Sequence, residues 1–169
     1  MNQQLTILIT GATGLVGKPL CKSLEERGHQ FRTVSRGPKG DFQWDVSAGQ
    51  LDDAALEGVD AVVHLAGESV AQRWTPEAKQ RILNSRVEST KILAEAILRQ
   101  ETRPAFIAAS GISYYGIEQS GELDEDAATG GGFLAEVTRQ WEGAAAPLTE
   151  AGVRTVFLRT GIVLSAEGG

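Results

Sequence analysis

Residues 10–17 read TGATGLVG and follow directly on the apolar run of residues 5–9. An apolar strand that leads into a glycine-rich turn and then a helix is a recurrent way to bind a pyrophosphate. Gly11 would permit the tight turn, Gly14 would let the backbone approach the phosphates, and Gly17 would let the helix pack closely on the sheet. The stretch predicts a dinucleotide site, with an ordinary strand-to-helix turn as the alternative.

Beyond this turn, short apolar runs alternate with helical patterns, which is typical of a parallel sheet with helices on both faces. Strands are predicted at residues 5–10, 30–35, 42–45, 60–65, 104–110 and 154–159. Helices are predicted at residues 15–27, 51–57 and 75–99, and a further helix passes through Phe133, Val137 and Trp141 until Pro147 interrupts it. The predicted fold class is α/β, a Rossmann-type doubly wound parallel sheet of about six strands in the order 3-2-1-4-5-6.

Composition restricts the classes of function. The 169 residues suit one domain with a substantial core, and 16 basic against 22 acidic residues give a net charge of −6. Without a basic cluster, neither nucleic acid nor a membrane surface is an expected partner. No apolar run is long enough to span a membrane, and no signal peptide is visible. With only Cys21, His29 and His64 as candidate soft ligands, we expect a cytoplasmic protein without a metal site.

Two predicted strands end in residues that suit the adenosine half of a dinucleotide, because ligands bind at the carboxyl ends of parallel strands. Ser35 and Arg36 end the second strand, and a hydroxyl with a guanidinium suits a ribose 2′-phosphate. A carboxylate there would instead suit a free ribose hydroxyl, so the pair favours NADP(H) over NAD(H). The alternative is that Arg36 is a solvated surface arginine. Asp45 follows the third strand and is a candidate acceptor for the adenine amino group, with the alternative that it simply ends the strand.

The fourth strand ends in His64 and continues as Leu65-Ala66-Gly67-Glu68. Small residues at this place would let a cofactor pass close to the backbone. His64 is either an acid–base residue or a packed side chain, and packing is the favoured interpretation. Glu68 either contacts ribose or substrate or faces the solvent.

The last two strand ends carry hydroxyl groups. Ser110 ends the fifth strand, where it could polarise a substrate carbonyl or hydroxyl oxygen. Tyr114 and Tyr115 follow as phenolic donors, each with packing under a loop as the alternative. Thr160 follows the sixth strand, near the expected nicotinamide end of a cofactor, or has a plain loop role.

Together these stretches resemble the extended short-chain dehydrogenase/reductases, that is the NAD(P)-dependent epimerase/dehydratase family, in its atypical cell-division-inhibitor-like branch. The resemblance rests on the GxxGxxG spacing and on residues 11–17, 64–68, 73–75, 85–86, 113–116, 133–135, 141–142 and 158–164. It implies an NADP(H) site. The residues assigned to that site are Gly11, Thr13, Gly14, Leu15, Val16, Gly17, Ser35, Arg36, Asp45, Leu65, Ala66, Gly67, Glu68, Arg86 and Thr160.

One departure from the wider superfamily concerns catalysis. Its enzymes generally use a Tyr-x-x-x-Lys pair on the helix after the fifth strand, in which the lysine lowers the pKa of the tyrosine. In register with Glu142, the corresponding positions hold Leu134 and Thr138, and the last lysine of the chain is Lys91. The usual pair is therefore absent.

The catalytic candidates in its place are Ser110, Tyr114 and Tyr115. A tyrosine without a nearby cation has a pKa near about 10, which opposes its use as a base at neutral pH. A cation is therefore needed beside it, and Arg86 and Arg139 are the candidates.

Two functions stay open from the sequence. One is an NADP(H)-dependent epimerase or oxidoreductase acting on a small carbonyl, hydroxyl or nucleotide-linked substrate. The other is a non-catalytic NADP(H)-binding regulatory protein, which would explain the missing pair. Because family members continue into a smaller C-terminal domain that closes over the substrate, we expect residues 1–169 to be the NADP-binding domain of a longer protein, with a truncated reading frame as the alternative. A homodimer is one option for its oligomeric state.

Overall fold

The computed structural model describes residues 4–165 and contains, within them, one sheet of seven strands. The strands are β1 (Thr6–Thr10), β2 (Gln30–Ser35), β3 (Phe42–Asp45), β4 (Gln50–Leu51), β5 (Ala61–His64), β6 (Ala105–Gly111) and β7 (Thr155–Thr160). Their order across the sheet is β4-β3-β2-β1-β5-β6-β7, with all neighbours parallel except the antiparallel pair β3 and β4. The six predicted strands and their order are confirmed, with one strand more than expected.

The extra strand is the main correction to the predicted elements. Residues 51–57 were expected to form one small helix, but Gln50 and Leu51 pair with β3 and only Asp53–Leu56 forms a short 3-10 helix. Gly49 has a φ of 69°, which allows the chain to reverse before the strand. The Asp52 side chain then accepts from the backbone N–H of Ala54 at 3.0 Å and begins the helix.

The helices are α1 (Gly17–Glu26), α2 (Pro76–Arg99), α3 (Phe133–Gly143) and α4 (Ala146–Glu150), with a second 3-10 helix at Ile112–Tyr115. The start of α2 is as its sequence predicts, because Thr75 accepts from the backbone N–H of Ala78 at 3.2 Å and Pro76 needs no N–H partner. Pro147 lies in the first turn of α4, where its ring is tolerated, so the predicted interruption after α3 is confirmed.

Helices cover both faces of the sheet, because side chains alternate along each strand. The larger core lies under α2 and α4, and its buried residues include Leu8, Val62, Leu93, Ile97, Phe106 and Leu148. On the other face α1 packs against β1, and the buried residues there are Ile7, Ile9 and Leu24. Cys21 packs at the edge of this second cluster, and burial raises the pKa of its thiol. The arrangement leaves the carboxyl ends of β1, β5, β6 and β7 at one edge.

Candidate nucleotide and active site

The turn after β1 has a backbone path that only glycine can follow. Gly11 has a φ of 73°, and a Cβ atom added there would lie 2.8 Å from the backbone N of Ala66. A Cβ atom added to Gly17 would lie 2.7 Å from the Cα of Ala12. The Gly14 N–H donates to the carbonyl of Gly11 at 3.0 Å and closes the turn. The absence of side chains at Gly11 and Gly17 therefore lets the loop lie close to the turn after β5 and to the start of α1.

The loop ends at a helix start that is open to an anion. Thr13, Gly14 and Val16 are exposed, and Leu15 is half-buried beside them. In contrast to α2, which has the Thr75 cap, α1 has no side-chain cap and no acidic residue in its first turn. The Lys18 N–H already donates to the carbonyl of Gly14 at 3.1 Å, so what the helix start offers an anion is the positive end of its dipole, which no carboxylate of the first turn offsets. The residues present fit a pyrophosphate group.

The end of β2 forms a tight loop with a cation at its tip. Ser35 donates its hydroxyl hydrogen to the carbonyl of Gly37 at 2.6 Å, and a Cβ atom added to Gly40 would lie 2.9 Å from the Ser35 N. Arg36 projects into solvent from this loop. Asp45, also exposed, accepts from the N–H of Ser47 at 2.9 Å and from that of Ala48 at 3.0 Å. The hydroxyl of Ser47 and these N–H groups hold the pKa of the Asp45 carboxyl below its usual range.

His64 is a packed side chain, as favoured from the sequence. It is fully buried, with Nδ1 2.6 Å from the Thr10 hydroxyl and Nε2 3.0 Å from the Ser89 hydroxyl. Since Ser89 donates to the carbonyl of Ser85 at 2.7 Å, its oxygen accepts from Nε2. The Thr10 hydroxyl can in turn donate to Nδ1, which fits a neutral imidazole that carries its hydrogen on Nε2. Burial, assisted by the charge of Arg86, lowers the pKa of His64 from 6.5 to about 3. His64 is therefore not positioned to exchange protons with a ligand.

The network around His64 positions the turn after β5. The N–H of Ala66 donates to the Thr10 hydroxyl at 3.2 Å, and the N–H of Glu68 donates to the Ser85 hydroxyl at 2.9 Å. These contacts leave the half-buried Leu65 beside Gly11 of the glycine loop and the exposed Gly67 beside Arg86. The turn is therefore held rigidly next to the pyrophosphate-fitting loop.

Arg86 supports the same turn from α2. Its Nη1 donates to the carbonyl of Glu68 at 2.9 Å, and its guanidinium lies 5.1 Å from the Trp141 ring centre. A Cβ atom added to Gly67 would lie 3.1 Å from the Arg86 Cζ, so glycine leaves room for the guanidinium. Burial lowers the pKa of Arg86, and the charge of Glu68 opposes that shift.

A second network joins the ends of β6 and β7 to α3. The Ser110 hydroxyl donates to Glu142 Oε1 at 2.6 Å. Arg159 forms a bidentate pair with the same carboxylate, from Nε at 3.0 Å and from Nη2 at 2.8 Å, with side-chain exposures of 18% and 12% for Arg159 and Glu142. The exposed Thr160 donates its hydroxyl hydrogen to the carbonyl of Ser110 at 3.2 Å.

Arg159 also contacts both candidate tyrosines. Its Nη1 donates to the Tyr115 hydroxyl oxygen at 2.9 Å, and its guanidinium carbon lies 3.6 Å from the centre of the Tyr114 ring. Glu142, with a smaller effect from Tyr115, raises the pKa of Arg159 further above its ordinary value. The cation in direct contact with both tyrosines is therefore Arg159, and neither of the two expected arginines. Arg139 pairs with a carboxylate on its own helix and interacts with Tyr114 through its charge alone.

The sequence model of the NAD-dependent epimerase/dehydratase family matches residues 7–136, from β1 into α3. This chain belongs to that family. An epimerase family protein of Mycobacterium leprae is 36% identical over 172 residues, which cover 99% of this chain and 56% of that protein. The human epimerase family protein SDR39U1 is 36% identical over 171 residues, which cover 98% of this chain and 57% of that protein. The epimerase/dehydratase-family chain thus spans about half the length of these curated relatives.

Solved structures agree with this assignment. The nucleoside-diphosphate sugar epimerase from Corynebacterium glutamicum has a TM-score of 0.85 and 40% identity, covering 99% of this chain and 36% of that one. Human SDR39U1 (isoform 2), solved with NADPH, has a TM-score of 0.82 and 32% identity, covering 98% and 56%. A UDP-glucuronic acid 4-epimerase from Bacillus cereus, solved with UDP-glucuronic acid and NAD, has a TM-score of 0.75 at 24% identity and covers 92% and 56%, a likeness of fold alone. The family and the Rossmann-type fold are confirmed.

In this family member the two positions of the usual Tyr-x-x-x-Lys pair hold Leu134 and Thr138, and neither side chain titrates. Thr138 is 4% exposed, and its hydroxyl donates to the carbonyl of Leu134 at 2.9 Å. Sequence reasoning missed Thr10 and Ser89, whose roles depend on contacts with His64, and it used Glu142 only as a register mark. It also missed Arg159, although the position of this arginine at the carboxyl end of a strand was an available signal.

The described part of this epimerase/dehydratase-family chain contains no cluster of three or more potential metal ligands and no helix able to cross a membrane. A depression of about 430 Å³ lies at the opposite edge of the sheet and is lined by residues 56–60 and 100–102. We place the candidate site at the carboxyl edge instead, because the glycine loop and the tyrosines lie there.

Proposed function

We propose that this chain is the NADP(H)-binding domain of an epimerase or oxidoreductase that acts on a small carbonyl, hydroxyl or nucleotide-linked substrate. The observation that carries the proposal is the uncapped, carboxylate-free start of α1, placed behind a loop whose shape requires glycine. The positive end of the dipole of such a helix stabilises a bound pyrophosphate.

A pyrophosphate at the glycine loop also sets where the two halves of the cofactor would lie along the sheet. With the pyrophosphate at residues 11–17, the adenosine half extends toward β2 and β3, where Ser35, Arg36 and Asp45 lie. The nicotinamide half extends over β5 toward residues 65–68, with Arg86 and Thr160 beside it. Arg36 favours the 2′-phosphate of NADP(H), because this cation stands where a carboxylate would select NAD(H). The NADPH bound to the human relative supports this preference.

Proton transfer is assigned to Tyr115. Arginine has no acceptor, so the phenol oxygen accepts from Arg159 and its hydrogen is free to be donated to a substrate oxygen. Tyr114 packs its ring on the same guanidinium and holds it in place. Ser110 directs its hydrogen to Glu142, which leaves the serine oxygen to accept from a substrate hydroxyl. When bound, NADP(H) supplies or accepts the hydride.

A regulatory protein that binds NADP(H) without turnover is the second candidate. The observation in its favour is the absence of a titrating group at Leu134 and Thr138, where the superfamily places its catalytic pair. Turnover separates the two candidates, because both predict the same cofactor binding.

The first experiment is a titration of the purified chain with NADPH and with NADH, followed by thermal unfolding and tryptophan fluorescence. Ligand at about a hundred times its Kd should stabilise the fold by about 2.7 kcal/mol. Arg36→Ala should weaken NADPH binding at least about tenfold and leave NADH binding unchanged. Arg27→Ala, an exposed arginine at the far end of α1, is the matched control. Equal binding of both cofactors by the wild-type chain contradicts the NADP(H) preference.

The second experiment tests turnover by following NADPH consumption with a panel of carbonyl substrates. Tyr115→Phe should abolish hydride transfer without changing NADPH affinity, because it removes only the hydroxyl. Full activity in this variant contradicts the catalytic assignment. Binding of NADPH without turnover of any substrate favours the regulatory candidate.

A further inference from the structure

We propose that Trp74, Phe133 and Lys79 form an aromatic wall that binds the substrate, and that this substrate carries a flat ring and an anionic group. The inference rests on the proposed function and adds to it the chemical class of the compound recognised. None of the three residues belongs to the glycine loop, to the adenosine end or to the group of polar residues around the tyrosines.

The aromatic wall lies at the same edge of the sheet as the candidate site. Trp74 immediately precedes the capping residue of α2, Lys79 lies in the first turns of that helix, and Phe133 is the first residue of α3. Both helices begin at the carboxyl edge because each follows a strand of the parallel sheet. Two segments about sixty residues apart thereby place their rings side by side, with the centres of Trp74 and Phe133 5.2 Å apart.

Trp74 is exposed but held in one orientation. Its residue is 43% accessible to solvent, whereas Trp44 and Trp141 are 7% and 6% accessible. The indole Nε1 donates to the carbonyl of Val70 at 2.9 Å, and the ring meets Phe133 edge to face at 63°. A large ring held rigid while partly in water can bind a flat ligand face at little cost in conformational entropy.

The charge beside these rings is positive. Lys79 places its ammonium 5.1 Å from the centre of the Phe133 ring, and within residues 4–165 it forms no ion pair with a carboxylate. The nearest carboxylate along the helix belongs to Glu77, which is stabilised by its own backbone N–H and by Thr75, as the lowered pKa of Glu77 reflects. An anionic group on a ligand over the wall would therefore meet an uncompensated cation.

Backbone packing connects the aromatic wall to the tyrosines. The N–H of Gly130 donates to the carbonyl of Tyr114 at 2.9 Å, and a Cβ atom added to Gly116 would lie 2.9 Å from the N of Gly131. These glycines lead directly into Phe133. The aromatic wall and the tyrosines are therefore joined by one packed segment at the carboxyl edge of the sheet.

The test uses 4-carboxybenzaldehyde and its methyl ester, which share the ring and differ in charge, with the chain saturated with NADP+. No hydride donor is then present, so binding is measured without reaction. Because the other two tryptophans are buried, quenching of fluorescence reports on Trp74. We expect saturable quenching by both probes, with the carboxylate bound about two- to fivefold more tightly than the ester.

Variants separate the contributions of ring and charge. Lys79→Gln should remove the preference for the carboxylate, and Phe133→Leu should weaken the binding of both probes. The matched control is Lys91→Gln, because the Lys91 side chain is 51% exposed and lies further along α2. All three variants should bind NADP+ as the wild-type chain does.

Two results overturn the inference while leaving the proposed function intact. One is normal NADP+ binding without saturable quenching by either probe. The other is a carboxylate preference that Lys79→Gln leaves unchanged. Failure of the wild-type chain to bind NADP+ instead contradicts the proposed function. Because NADP+ binding is measured before either probe is added, the two failures are distinguished.

Discussion

The burial of His64 predicts that the stability of the fold falls at acidic pH. Burial and the charge of Arg86 lower the pKa of His64 in the folded state to about 3, against 6.5 in an unfolded chain. At a pH between these two pKa values, the His64 imidazole is protonated in the unfolded state and neutral in the folded state. The free energy of unfolding should therefore be fully present above about pH 6.5 and fall as the pH is lowered toward about 3.

The size of this effect follows from the difference between the two pKa values. Each pH unit below the ordinary value removes about 1.4 kcal/mol, so the loss at about pH 5 is about 2 kcal/mol. If the pH is lowered to the pKa of His64 in the folded state, the total loss in the free energy of unfolding reaches about 5 kcal/mol. A domain of this kind has a total stability of about 5–15 kcal/mol, so the effect is large enough to measure by urea unfolding.

The assay compares urea unfolding at about pH 7 and about pH 5 for the wild type and for His64→Gln. Glutamine can accept from Thr10 and donate to Ser89, so it keeps both hydrogen bonds without a titrating ring. We expect the variant to lose about 2 kcal/mol less than the wild type over this interval. His29→Gln is the control for the removal of a histidine elsewhere.

Equal pH dependence in the wild type and in His64→Gln would refute the reasoning. If the variant does not fold, the imidazole proton resonances of the wild type still decide the matter. His64 should stay neutral down to about pH 4, and protonation near its ordinary value would contradict the structure.

Three further predictions concern stability and binding. Gly17→Ala should abolish NADPH binding in a fluorescence titration, because the new Cβ would overlap Ala12; unchanged affinity would contradict the loop geometry. Glu142→Gln should lower the free energy of unfolding in urea by about 2–3 kcal/mol, because Arg159 loses its paired charge; a neutral outcome would show that the pair is dispensable. Thr75→Ala should cost about 1 kcal/mol in the same assay through loss of the α2 cap.

Much of the fold could be predicted because its signals are local. The apolar run before Gly11, the Thr75-Pro76 start of α2 and the break at Pro147 each act within a few residues. β4 escaped prediction because a two-residue strand has no pattern of its own. It exists only through pairing with Trp44 and Asp45 on β3.

The candidate site divides in the same way. The glycine loop, Arg36 and residues 65–68 could be placed from the sequence, because each directly follows a strand of the sheet. The contact between Arg159 and Tyr115 joins residues 44 positions apart, and the one between His64 and Thr10 joins residues 54 positions apart. No local pattern specifies which distant side chains meet.

By itself, the sequence determined the order of the six longer strands, their parallel pairing and the position of the glycine turn, because apolar spacing, glycine positions and helix caps act through neighbouring residues. Only the tertiary structure decided that Arg159 is the cation at the tyrosines, that His64 is neutral, and that Trp74 meets Phe133. Charge state and partner choice depend on burial and on distance in space, and both arise only when remote segments pack together.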